Sequence, residues 1–123
     1  MAAADLDGDG DPDVLSASYD DDTIAWYENT AGDGTTFTTH TISTLADGAH
    51  SVFAADVDGD GDMDVLSASA HDSTVAWYEN DGNQSFTVHK ITTTADFANS
   101  VYACDVDGDG DIDVLSASGS DRT

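Results

Sequence analysis

A run of alternating aspartates occurs three times in this chain, and its spacing constrains the fold before any local feature does. Asp5-Leu6-Asp7-Gly8-Asp9-Gly10-Asp11-Pro12-Asp13-Val14-Leu15-Ser16-Ala17-Ser18 returns from Asp56 to Ser69 and again from Asp105 to Ser118, at offsets of 51 and 49 residues. Other pieces return in the same register. Ala25-Trp26-Tyr27-Glu28-Asn29 becomes Ala76-Trp77-Tyr78-Glu79-Asn80, and Phe37, His40 and Ile42 become Phe86, His89 and Ile91. Ser51-Val52-Phe53-Ala54 becomes Ser100-Val101-Tyr102-Ala103.

One period holds four short strand-like segments. Residues 50–55 are small and apolar and run into the aspartates. Residues 65–70 alternate Leu66 and Ala68 with Val65, Ser67 and Ser69. A turn at His71-Asp72-Ser73 leads to residues 74–80, rich in β-branched and aromatic side chains. Asp81-Gly82-Asn83 reads as a hairpin turn before residues 85–92. No segment shows helical periodicity. The expected class is all-β, and four antiparallel strands per period of about 50 residues match a β-propeller blade. Residues 1–46 form the first expected blade, 47–96 the second, and 97–123 a partial third with two strands. That makes about two and a half blades in one repeat domain.

The acidic window reads Asp-x-Asp-Gly-Asp-Gly-x-x-Asp. Calcium is a hard ion that takes six to eight oxygens, and a short loop around it points alternate side chains inward. Ligands are expected at positions 1, 3, 5 and 9, with the backbone carbonyl at position 7. The first site would use Asp5, Asp7, Asp9, the Asp11 carbonyl and Asp13. The second would use Asp56, Asp58, Asp60, the Asp62 carbonyl and Asp64, and the third Asp105, Asp107, Asp109, the Asp111 carbonyl and Asp113. Glycine at position 6 (Gly10, Gly61, Gly110) permits a turn that a β-carbon obstructs. Five carboxylates in one loop repel one another without a counter-ion. Magnesium fits less well because it keeps its waters, and zinc or copper would want converging His or Cys. Position 12 is Ser16, Ser67 or Ser116, where a helix-loop-helix calcium hand places Glu, and the following residues read as strand. The ion is therefore expected to pin a strand connection, without opening a helical groove.

At these residues the chain resembles the FG-GAP/VCBS family of calcium-binding β-propeller repeats. The stretch from Ser51 to Ser69 and the later Ala-Trp-Tyr-Glu-Asn carry the likeness. The resemblance implies blades like those of integrin α-subunit heads, three calcium sites, and an extracellular or cell-surface setting in adhesion, carbohydrate contact or scaffolding. Family members usually close a ring of about seven blades, so this chain is expected either to self-associate as a homo-oligomer or to belong to a longer propeller.

Charge narrows the partners. The chain carries 26 acidic residues against two basic ones, a formal net charge of −24, and fifteen of the acids lie in the three windows. Nucleic acid and anionic membranes both require clustered Lys and Arg. No apolar run reaches membrane-helix length, and no basic segment followed by an apolar core marks a signal peptide in this chain. Cys104 stands where Ala4 and Ala55 stand, and is expected to be a small buried packing residue. Alternation places Trp26 opposite in face to Tyr27, and Trp77 to Tyr78. They read better as packing between blades than as platforms for sugars. His40 and His89 are expected to be hydrogen-bonded structural residues, and His50 and His71 surface residues. No nucleophile motif or phosphate loop occurs, and Glu28 and Glu79 are too far apart on successive blades to act as a pair. The expected function is a non-enzymatic, calcium-stabilised structural or interaction module. Its alternatives are a calcium-dependent, lectin-like glycan or protein binder, or a piece of a larger adhesin or propeller enzyme.

Overall fold

The computed structural model describes residues 1–119, which contain ten strands and no helix. Residues 120–123 of the expected third unit lie outside the described residues. The strands are β1 (Ala2–Ala4), β2 (Asp13–Ser18), β3 (Thr23–Asn29), β4 (Phe37–Ser43), β5 (Ala49–Ala55), β6 (Asp64–Ser69), β7 (Thr74–Asn80), β8 (Phe86–Thr92), β9 (Ala98–Cys104) and β10 (Asp113–Ser118). They form two four-stranded sheets, β1-β2-β3-β4 and β5-β6-β7-β8, and a two-stranded sheet of β9 and β10. Every pairing is antiparallel and sequential. The all-β expectation and the four-strand unit both hold, with boundaries within a residue of those read from alternation.

Register repeats with the sequence. Val14 faces Tyr27 and Leu15 faces Trp26 in the first sheet, as Val65 faces Tyr78 and Leu66 faces Trp77 in the second. The unequal repeat offsets have one source. Between β3 and β4 lie residues 30–36, whereas residues 81–85 join β7 to β8, two fewer. From the first acidic loop onward, every other segment keeps its length.

Because side chains alternate across a strand, each sheet has two different faces. The forward face of the first sheet carries Leu15, Ile24 and Trp26. It packs with Leu6 against Val52, Val65, Ala76 and Tyr78 on the rear face of the second. The forward face of the second, with Leu66, Ala68 and Val75, packs against Val101 and Ala103 on the rear of the third. Sandwiched on both sides, β6 is buried along its whole length. Each fully buried Leu or Val contributes about 1.5–3 kcal/mol, so these two cores hold the sheets together.

Trp26 and Tyr78 meet inside one of these cores, where packing between sheets was expected of them. The rings of Trp26 and Trp77 stack on His40 and His89 at centroid distances of 4.5 and 4.6 Å. Those histidines share hydrogen bonds with Glu28 (2.7 Å) and Glu79 (2.9 Å), so their structural role is as expected. Cys104 departs from expectation. It is half-buried, as Ala4 and Ala55 are, because it closes a strand at the mouth of a solvated loop. His50 and His71 are exposed but not idle. His71 bonds to Tyr19 and Asp47, and His50 to the Asn99 carbonyl, which ties neighbouring sheets at the end away from the aspartates.

Candidate metal centre

The three acidic loops join β1 to β2, β5 to β6, and β9 to β10. Their carboxylates shape the backbone directly. Asp56 Oδ1 accepts the Gly59 N–H and Oδ2 the Gly61 N–H, both at 2.9 Å. Asp5 does the same for Gly8 and Gly10, and Asp105 for Gly108 and Gly110. Gly10, Gly61 and Gly110 have φ of 94°, 95° and 94°, a region that L residues rarely enter. A β-carbon at Gly61 meets nothing within 4 Å, so substitution there is penalised by backbone torsion alone. Gly61→Ala is expected to cost about 1–2 kcal/mol, read as a lower urea midpoint. An unchanged midpoint contradicts this account of the turn.

One carboxylate oxygen from each of Asp5, Asp7 and Asp13 lies within 4.8 Å of the others. The same holds for Asp56, Asp58 and Asp64, and for Asp105, Asp107 and Asp113. Positions 1, 3 and 9 of the motif thus come together. Asp9, Asp60 and Asp109, also expected as ligands, fall outside these sets. Each accepts the N–H two residues on, from Asp11, Asp62 and Asp111. The Asp62 side chain lies against the hairpin turn, where a β-carbon on Gly82 would stand 2.8 Å from its Oδ2.

The ninth position anchors each loop to its sheet. Asp64 is fully buried, with Oδ2 accepting the Val57 N–H (2.9 Å) and Oδ1 the Asn80 N–H (2.8 Å). Asp13 is held identically by Leu6 and Asn29. Asp113 accepts only the Val106 N–H (2.9 Å) and is half-buried, because the third sheet has no third strand among the described residues to supply an Asn. Asn29 and Asn80 therefore belong to the site, although sequence reasoning placed no role on them. The available signal was their return in register. The Asn80 side chain also donates to the Met63 carbonyl (3.0 Å) and, across the sheet junction, to the Leu6 carbonyl (3.1 Å).

The electrostatics are those of crowded carboxylates. Partial loss of hydration pushes the Asp58 carboxyl from 3.8 up to about 6, with the Asp64 and Asp60 carboxylates adding to the effect against the Asp60 N–H. Burial raises Asp64 despite its two N–H donors, and desolvation also raises Asp7. The open third loop behaves differently: the Gly110 N–H leads in holding Asp105 below its ordinary value. The donors are all oxygen, without His or Cys, which suits a hard divalent ion.

A family model described as FG-GAP-like repeat matches residues 5–67 and again 56–116. The chain belongs to the FG-GAP-like repeat family. Each match begins at the first Asp of one loop and ends in the strand after the next, so the FG-GAP-like unit contains two successive acidic loops and the four strands between them, three from one sheet and one from the next. No curated protein matches the chain. No helix among the described residues is long and apolar enough to cross a membrane.

Proposed function

We propose that this FG-GAP-like chain is a non-catalytic, calcium-binding structural and interaction module whose sheets are propeller blades. One observation carries the reading: three oxygen-only carboxylate triads recur at the same motif positions, each tied to its own sheet through the ninth-position Asp. Calcium would be held by Asp5, Asp7 and Asp13, by Asp56, Asp58 and Asp64, and by Asp105, Asp107 and Asp113. Bound there, it supplies two positive charges to loops that otherwise repel themselves. The protein's own groups do the rest, folding each loop over N–H donors and fixing its last carboxylate beneath a hairpin. An extracellular or cell-surface setting agrees with the family and with weak, millimolar-range sites of the kind found in extracellular modules.

Calorimetric titration with calcium tests this. Two tighter sites and one weaker site are expected, the weaker being the third loop, whose Asp113 lacks the second N–H tether. Asp105→Asn combined with Asp107→Asn should remove the weak phase and leave the other two. Absence of binding at 10-fold excess over about 1 mM calcium overturns the proposal.

A further inference from the structure

The two sheet junctions inside the chain predict a third, between copies. At each junction a forward face covers the rear face of the next sheet. Among the described residues, one of each is left uncovered. Leu15 and Leu66 are 0 % exposed under the following sheet, whereas Leu115, their equivalent on the third, is 42 % exposed. Beside it stand Tyr102, paired with Leu115 across the strands, and Val106, both more than half exposed. Their counterparts Phe53 and Val57 pack in the second core.

At the other end, Met1, Val14, Tyr27 and Phe37 line an open apolar depression on the rear of the first sheet. These four occupy the repeat positions of Val52, Val65, Tyr78 and Phe86. In the second sheet all four pack against Leu6, Leu15 and Trp26. Met1 is 90 % exposed where Val52 is 5 %. The repeat thus identifies what fits each open face: a face equivalent to the other one, which a second copy of this chain supplies.

We propose that the forward face of the third sheet receives the rear face of the first sheet of a second copy, head to tail. Within the chain, the incoming sheet rests mainly through its first strand, β5 on β2 and β1, and β9 on β5 and β6. The strands β9 and β10 present the corresponding support. Asn80 crosses the first junction to the Leu6 carbonyl, so Asn29 of the second copy is placed to donate to the Val106 carbonyl. Because β1 has three residues where β5 has seven, this junction is weaker than those within the chain. Such a heterologous contact continues until it closes a ring or grows. The charge of −24 on each copy opposes it, so cations or salt promote it. The contact itself is apolar and does not require that the ion be calcium.

Sedimentation equilibrium from about 10 to 500 µM protein, a range suited to a weak interface, tests the proposal. It is run once in calcium and once in chelator with about 0.5 M NaCl, which screens charge without divalent ions. The weight-average mass should rise with concentration in at least the salt arm. Leu115→Asp and Phe37→Asp alter exposed side chains, and each alone should hold the protein monomeric while its circular dichroism matches the parent. Mixed one to one, they should form a heterodimer and stop, since each retains the face the other lacks. A parent that stays monomeric in both arms overturns the proposal, as expected if a further repeat of a longer chain covers the face. Association that survives Leu115→Asp also overturns it, and points to edge pairing through β10. Two monomeric variants that fail to pair when mixed overturn the head-to-tail geometry.

Discussion

Withdrawing calcium from the saturated protein should lower its unfolding free energy by about 5–8 kcal/mol. An ion that binds only the folded state contributes about 2.7 kcal/mol per site when present at 100-fold its dissociation constant. The expected loss corresponds to filling two or all three of the carboxylate clusters that could hold one. Thermal melts in calcium and in excess chelator measure this, and identical melts would refute ion-dependent stability. The pH response should also change sign. In metal-free protein, Asp58 keeps its proton up to about 6 when folded and only to 3.8 when unfolded. The folded state then binds more protons across that window, so stability is greater at the acid end and is lost as pH rises through about 6. Asp7 and Asp64 shift the same way, and the lowered Asp105 and Asp33 act in the opposite sense at the acid end. In calcium, protons and ions compete for the same oxygens, so acidification removes the ion and stability falls with falling pH. Parallel slopes in the two conditions would contradict the assignment of these carboxylates as ligands.

Asp64→Ala should be the most damaging single substitution in the loops, costing about 2–4 kcal/mol even without metal. It strands two N–H donors, Val57 and Asn80, beneath a hairpin, and an unmet buried donor costs about 1–3 kcal/mol. Relief of the desolvation that raises the Asp64 carboxyl offsets part of that loss. The same change at the same repeat position in the third unit, Asp113→Ala, should cost less than half as much, because Asp113 is half-buried and accepts one N–H. Urea unfolding of the two variants in chelator makes the comparison. Equal costs would show that the tether to the hairpin contributes nothing.

Much of this was legible in the sequence, for reasons that can be named. Alternation of Leu66 and Ala68 with Val65, Ser67 and Ser69 located β6, β-branched and aromatic content located β7, and a small apolar run located β5. The in-register motif located the loops, and position 6 glycine does take the left-handed backbone expected. The division of labour among the aspartates was not legible. Asp9 and Asp7 look alike in sequence and each accepts the N–H two residues on, yet only Asp7 stands close to Asp5 and Asp13. Asn29 and Asn80 were visible as repeats but silent as to role, since their bonds reach loops 16 or more residues away. The cluster of Tyr19, His71 and Asp47 left no trace at all. It joins residues 52 and 24 positions apart, and of the three only Asp47 has an identical residue in register, Asp96.

The hairpin that absorbs the difference between the two repeat lengths offers a practical opening. Seven residues there, against five in the next unit, leave every strand register and both cores undisturbed. A foreign peptide spliced between Gly32 and Thr35 would therefore sit beside Asp11 at the first acidic loop. An environment-sensitive dye carried on that graft becomes a spectroscopic gauge of cation loading, built at a place the fold has already shown it can lengthen.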